Sequence, residues 1–289
     1  MSKTVVIDAS KWQVYIPGTG PTSGVKFDLA KFAAHDPPAG LMVYRASIGD
    51  YYSDPYAVWM IENMRKLKIP ASVYFVPDPN IYRDNATASA LNQVNRLKAT
   101  MASFKEFRPD GSHTYNLDFP IVIDIEKLTS YADHGLSFYN QLVYDSIRFI
   151  EDEFLCTPVI YSSTYFWKRL LGENKEWHSK YKFWMALYGA QGKESVTKPE
   201  DFKLPANLTR DNLILHQVTD KDDGLSWGYA SKGGDKSYWV HPTKSLEEYI
   251  TEFKGTVPDT PPLPPSGPCG CCSVLKMIQE IACKNTDCH

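Results

Sequence analysis

Cysteine is scarce along most of this 289-residue chain: Cys156 stands alone until Cys269, and Cys271, Cys272, Cys283 and Cys288 then follow within the last 21 residues. The body must therefore hold together through its apolar core rather than through cross-links. A surplus of one charge is missing too, with a formal net charge of −3 and a pI near 6.2. Without a basic footprint, nucleic acid is excluded as the main partner. Long apolar runs are absent, so no membrane span is expected. Met1-Ser2-Lys3 leads straight into Thr4-Val5-Val6-Ile7-Asp8 with no stretch of signal-sequence length. The expectation is a protein made in the cytoplasm without a signal peptide, which meets any extracellular substrate through lysis, non-classical release or delivery on a particle. Histidines in the body never pair at short spacing: His35, His113, His134, His178, His216 and His241 are scattered. That argues against a metal-dependent deacetylase. No internal repeat is visible, which sets repeat architectures aside.

Apolar and aromatic residues are plentiful instead. At 43% hydrophobic and 22% charged, the chain can bury the core of one catalytic domain with a small appendage. Eighteen tyrosines, thirteen phenylalanines and seven tryptophans would serve a cleft for apolar or sugar faces, although much of this supply must be core.

The body reads as α/β, with alternating strands and helices of the kind that build a largely parallel sheet or barrel. Apolar strand candidates are 4–8, 41–48, 70–76, 119–126, 157–162, 182–188 and 212–218. Between them, Asp54-Pro55 offers an N-cap and a first-position proline ahead of Val58, Ile61, Met64 and Leu67. Leu91, Val94, Met101 and Phe104 form a second stripe, and Leu142, Val143, Ile147, Ile150 and Phe154 a third. Each stripe is better explained by core contact than by a binding surface. A last helix is expected over 244–254.

The strand Phe119-Pro120-Ile121-Val122-Ile123-Asp124-Ile125-Glu126 ends in two carboxylates spaced i, i+2. Alternation puts both on one face, with Cα atoms about 6.6 Å apart at roughly 3.3 Å per residue. That is the scale of a two-carboxylate glycosidase site. Like charges so close should drive their pKa values apart, leaving one acid and one base. An isolated Asp-x-Glu more often just solvates a strand's exit. However, chemistry in a parallel barrel sits at the C-terminal strand ends, and acids recur there. Asp8 ends the first strand, and Asp220, Asp222, Asp223 and Asp235 follow the seventh. Asp8 by itself could equally cap a turn.

These residues together resemble a known family. Asp8-x-Ser10-x-x-Gln13, Tyr44-Arg45-Ala46-Ser47-x-Gly49, Ile123-Asp124-Ile125-Glu126, Pro158-x-Ile160-Tyr161-Ser162 and Phe183-Trp184-x-Ala186-x-Tyr188 look like glycoside hydrolase family 25, over about residues 4–254. These are N-acetylmuramidase lysozymes common among phage endolysins. The resemblance implies an irregular TIM-like β/α barrel that cleaves the β-1,4 bond between N-acetylmuramic acid and N-acetylglucosamine in bacterial peptidoglycan. It makes Glu126 the general acid/base, Asp124 the carboxylate supporting the reacting centre, and Asp8 a floor residue. The family's late acid fits Asp235 best, with Asp220 and Asp223 as rivals. For sugar stacking and binding, Trp12, Tyr161, Trp184, Tyr188 and Gln217 are the candidates. The chain departs from the family pattern at Ile48, at Val73-Tyr74-Phe75 and at His216-Gln217, and His216 reads as a satisfied barrel histidine.

The expected mechanism has Glu126 protonated through the influence of Asp124 and partial burial, while hydrogen bonds from neighbours keep Asp124 ionised. No cofactor is needed for this chemistry. Rival readings are a barrel glycosidase for another N-acetylated polysaccharide and a catalytically weak wall-binding or virion-structural protein.

Domain boundaries follow from composition: a catalytic barrel over 1–255, a proline-rich linker over 256–268 and a cysteine-rich tail over 269–289. Cys269, Cys272, Cys283 and Cys288 could hold a structural zinc, with disulfides or lipid attachment at Cys271 and Cys272 as alternatives. Self-association or virion docking through this tail is a further expectation.

Overall fold

The computed structural model of the chain describes residues 4–16, 24–25, 27–79, 85–109, 111, 113–126, 131–171, 176–205 and 208–256. The linker beyond Thr256 and the whole cysteine tail lie outside these residues, as do the zinc, disulfide and docking expectations placed on them.

Eight strands close into a barrel: β1 Val5–Ala9, β2 Ala39–Ile48, β3 Ala71–Val76, β4 Val122–Asp124, β5 Val159–Ser163, β6 Lys182–Ala186, β7 Leu213–Asp223 and β8 Gly233–Trp239. β1 to β7 pair in chain order and in parallel. β8 runs antiparallel to both β7 and β1 and shuts the ring. Parallel neighbours need a long crossover, and the early ones have it. Helices α1 Ala57–Lys66, α2 Ala86–Thr100 and α3 Tyr131–Phe154 follow β2, β3 and β4. The link between β7 and β8 is a tight connection without a helix, so the chain returns antiparallel. After β5 there is one helical turn, Thr164–Phe166, and a π-turn, Trp167–Leu171. The barrel is therefore irregular on its late side.

Two apolar layers hold it. Val6, Leu41, Val43, Val122, Val159, Leu215 and Trp239 pack inside the barrel, and Leu246 and Ile250 of helix α4 Leu246–Thr256 pack with them. Ile7, Met42, Ile123, Ile160 and Phe183, on the opposite strand faces, pack against Ile61, Met64, Val94, Leu97, Leu142, Ile147 and Ile150 of the helices. Complete burial of each such side chain contributes on the order of 1.5–3 kcal/mol. With both faces covered, the strands read as near-continuous apolar runs, which is why they were legible in the sequence.

Three local expectations differ from the fold. The strand expected over 119–126 is regular only at Val122–Asp124, because Pro120 has no N–H to give and the Phe119 and Pro120 carbonyls are taken by Ser72 Oγ. Asp54 does not cap α1, whose cap is Tyr56. Its carboxylate accepts from Tyr56 N at 3.2 Å in the turn that leads into the helix, and is shared with Arg45 Nη2 at 3.1 Å, Tyr44 Oη at 3.2 Å and Lys11 N at 3.0 Å. The final helix begins and ends two residues later than 244–254, and no strand was expected over 233–239.

Candidate active site

Strand parity builds the site. Val6, Val43, Val122, Val159 and Leu215 point into the barrel, so two residues further along the same faces lie Asp8, Arg45, Asp124, Tyr161 and Gln217. β6 adds Trp184. β8 runs the other way, and its register sets Asp235 directly opposite Asp8. Ile125 N donates to Tyr161 O at 2.9 Å, which keeps the chain extended past β4 and returns Glu126 to the side of Asp124. A cavity of about 240 Å³ results at the C-terminal ends of β1 to β7. It is lined by Asp8, Tyr74, Val122, Asp124, Glu126, Tyr161, Trp184, Tyr188, Gln217, Asp220 and Asp235.

Carboxylates dominate this lining. Asp124 is 6% exposed, and burial first, then the charges of Glu126 and Asp8, push its carboxyl well above the usual range. Arg45 opposes that rise from within the barrel while bound to Asp54. Glu126 opens to solvent at the mouth, yet the surrounding walls desolvate it enough to raise its pKa as well. Asp8 is raised by burial and then by Asp235, against a hydrogen bond from Gln217 that lowers it. Asp235 is pushed up to about 7 by desolvation, Glu126 and Asp220, while its hydrogen bond with Asp8 works the other way. The site at neutral pH thus retains protons that isolated carboxylates would have lost.

One expectation about these acids fails. Asp124 Oδ1 is buried and has no hydrogen-bond partner among the described residues, so the expected donors are missing at that oxygen.

A polar chain lines the opposite wall. Tyr161 Oη donates to Gln217 Oε1 at 2.6 Å, Tyr188 Oη donates to the same oxygen, and Gln217 Nε2 donates to Asp8 Oδ2 at 2.9 Å. Trp184 is 2% exposed, with Nε1 donating to Ser237 Oγ at 2.9 Å and its ring edge-on to Tyr161, centroids 5.4 Å apart. Beneath Asp8, Tyr229 packs so closely on Gly234 that a Cβ there would sit 2.7 Å from the ring. That approach explains the glycine before Asp235.

Of the sequence candidates, Asp8, Asp124, Glu126, Asp235, Tyr161, Trp184, Tyr188 and Gln217 meet in one cavity. Trp12 does not: it is 57% exposed on the turn after β1, with Lys11 Nζ 4.7 Å from its ring centroid. Of the two rivals to Asp235, Asp220 also lines the cavity, whereas Asp223 bonds the turn at Leu225 N; neighbouring Asp222 binds Lys236 and Trp227. His216 is buried, with Nε2 2.9 Å from Leu187 O. Sequence reasoning missed Tyr74, a partly buried phenol on the cavity wall; its place near the end of β3 was the available signal. Among the described residues, no group of three or more His, Cys, Asp or Glu could hold a metal ion, and no helix is long and apolar enough to cross a membrane.

Comparison with known proteins fits this geometry. The family model described as glycosyl hydrolases family 25 matches residues 7–224. Among solved structures, a muramidase from Acremonium alcalophilum superposes with a TM-score of 0.58 at 18% identity, over 87% of this chain and 99% of that one. A bacterial lysozyme from Streptomyces coelicolor gives 0.58 at 18% identity over 88% and 99%. The catalytic domain of endolysin ply40 from bacteriophage P40 of Listeria monocytogenes gives 0.55 at 20% identity over 88% and 98%. A search of curated protein sequences found no match.

Proposed function

Because this chain belongs to glycosyl hydrolase family 25, we propose that its barrel is a muramidase that hydrolyses the β-1,4 bond between N-acetylmuramic acid and N-acetylglucosamine in bacterial peptidoglycan. The observation that carries this reading is the convergence of Asp8, Asp124, Glu126 and Asp235 from three separate strand regions into one small cavity walled by tyrosines and a tryptophan.

The chemistry follows from the positions. Breaking a glycosidic bond requires a proton on the departing oxygen and stabilisation of positive charge at the anomeric carbon. Glu126 is placed to supply the proton, because it faces the mouth, where substrate enters, and desolvation keeps its proton on toward neutral pH. Asp124 is placed to meet the positive charge, deeper in the cavity. Its bare Oδ1 wants a donor, and a 2-acetamido N–H would supply one. A carboxylate so engaged would orient the acetamido oxygen toward the anomeric carbon, which supports participation by the substrate. Asp8 and Asp235, sharing a hydrogen bond, hold negative charge below the reacting centre. Tyr161, Tyr188 and the edge of Trp184 form the sugar-facing wall, and Trp12 stands outside it as a rim aromatic for a neighbouring ring. No cofactor enters these steps.

Action on the wall from outside the cell, after lysis, non-classical release or as part of a virion, is part of the same proposal. The experiment is digestion of purified peptidoglycan with mass analysis of the fragments. New reducing ends on N-acetylmuramic acid establish bond and class together. Cleavage confined to chitin-type glycan would instead identify a glycosidase for another N-acetylated polysaccharide, and binding without cleavage a wall-binding protein.

A further inference from the structure

Gln217 is 2% exposed, yet it joins three side chains of the cavity. Oε1 accepts from Tyr161 Oη at 2.6 Å and from Tyr188 Oη, and Nε2 donates to Asp8 Oδ2 at 2.9 Å. A carboxamide is asymmetric, so these contacts have a direction. Turned by 180°, the amide would set its oxygen against the Asp8 carboxylate oxygen and its NH₂ against two hydroxyls. The observed sense therefore matches an Asp8 oxygen that accepts, and both phenolic protons are spent on Gln217. The outward lone pairs of Tyr161 and Tyr188 are what remains for a ligand. Tyr161 and Tyr188 oxygens lie 3.5 Å apart, so one donor group can address both.

We infer that Gln217 is a positioning residue that sets the hydrogen-bond polarity of the cavity, holding Asp8 as an acceptor and turning Tyr161 and Tyr188 into acceptors toward the substrate. The late wall of the cavity and the Asp8 edge beside it then present acceptors: phenol oxygens of Tyr161 and Tyr188 and a carboxylate oxygen on β1. A ligand there must bring donors, which a pyranose does through hydroxyls and an acetamido N–H. That consequence for a glycan rests on the muramidase reading; the polarity itself does not.

Protonation of Asp8 on Oδ2 would reverse the chain, since that oxygen would then donate and the amide would turn, whereas a proton on its other oxygen, shared with Asp235, leaves Oδ2 accepting from Gln217. Asp8 is faced by Asp235 from β8 and by Asp124 and Glu126 from β4, all of which favour that proton. The phenols of Tyr74 and Tyr229 and those of the network itself complete its surroundings, with Arg45 as the cation acting on neighbouring Asp124. Gln217 is the group among these that opposes protonation of Asp8 by a direct hydrogen bond.

The test is a ¹³C-carboxyl NMR titration of the aspartates in the wild-type chain, Gln217→Glu and Gln217→Met, with the Asp8 signal assigned by its loss in Asp8→Asn. Folding of each variant is followed by circular dichroism, and kcat/KM against pH is measured on soluble glycan fragments. Both substitutions remove the donor to Asp8, so its titration should move up by about one pH unit or more, as expected when a charged group loses a hydrogen bond. The acid limb of kcat/KM should move in the same direction. Gln217→Glu should give the larger rise, because a second carboxylate then faces Asp8 across the same gap. Asp8 titration that stays within about 0.3 unit of wild type in both variants overturns the inference. Failure of both to fold also overturns it, by making Gln217 a structural residue. If the Asp8 titration moves as stated but the wild-type chain releases no muramic acid ends, the muramidase reading falls and the polarity assignment stands.

Discussion

Asp235→Asn should make the barrel more stable at neutral pH while impairing hydrolysis. In the folded chain the Asp235 carboxyl is pushed up to about 7 from an ordinary 3.8, chiefly by desolvation and then by Glu126 and Asp220. A carboxyl whose folded pKa is raised binds its proton more tightly in the native state than in the unfolded one. It therefore favours folding below about pH 4, and that advantage is lost as pH rises through 7. The difference of 7 − 3.8, about three units, corresponds to roughly 4 kcal/mol at about 1.36 kcal/mol per unit. Asp235 is only partly shielded from solvent and shares its proton with Asp8, so roughly half of that, about 2 kcal/mol, is expected in practice. For a barrel of this size, 2 kcal/mol is roughly 4–8 °C in Tm. The assay is urea and thermal unfolding of wild type and Asp235→Asn between pH 4 and 8.5. The gap between them should be small at pH 4, open through pH 5 to 7 and then level off. A gap that is flat with pH, or that favours wild type more as pH rises, would refute the claim that this site holds its charges at the expense of stability. Activity should fall in the same variant, because the lost carboxylate supports charge at the reacting centre.

Glu126→Gln should keep the fold and lose at least about a hundredfold in turnover, since an amide fills the volume but cannot give and recover a proton; near-normal cleavage would remove Glu126 from its proposed role. Asp124→Asn should be comparably harmful to kcat, measured on the same fragments. Arg45→Met should destabilise the barrel by about 3–5 kcal/mol in urea unfolding, because it removes the cation from the Asp54 carboxylate, whose side chain has no solvent exposure; a loss under about 1 kcal/mol would show that Tyr44, Lys11 N and Tyr56 N satisfy Asp54 on their own. Truncation after Thr256 should leave a folded barrel active on small glycan fragments while altering action on whole cells, and metal analysis with thiol titration of the full chain should separate a chelatable zinc from disulfides. Unfolding on truncation would show that the tail packs on the barrel.

Much of this protein was determined locally. Strands buried on both faces must be apolar throughout, so β1 to β7 stood out as runs bounded by polar turns, and the helices showed their stripes because each packs one face on the sheet. The pairing of Asp124 with Glu126 needed only the two-residue period of an extended chain, which Ile125 preserves by bonding Tyr161 O beyond the regular strand. β8 was not legible in the same way: Gly233-Gly234-Asp235-Lys236-Ser237-Tyr238-Trp239 is mostly polar and glycine-led. Its inward face carries an acid and a serine that only the closed barrel can use. Which late acid joins the site was likewise a tertiary question. Asp220 and Asp235 both reach the cavity, but antiparallel closure of β8 on β1 sets Asp235 opposite Asp8. Asp54 read as a helix cap because capping is a local pattern, and its carboxylate does accept from Tyr56 N, but its further partners, Arg45, Tyr44 and Lys11 N, arrive from β2 and from the turn after β1. The missing donor at Asp124 was invisible for the same reason. Sequence period tells which way a side chain points; only packing from seven other strands decides what it meets there.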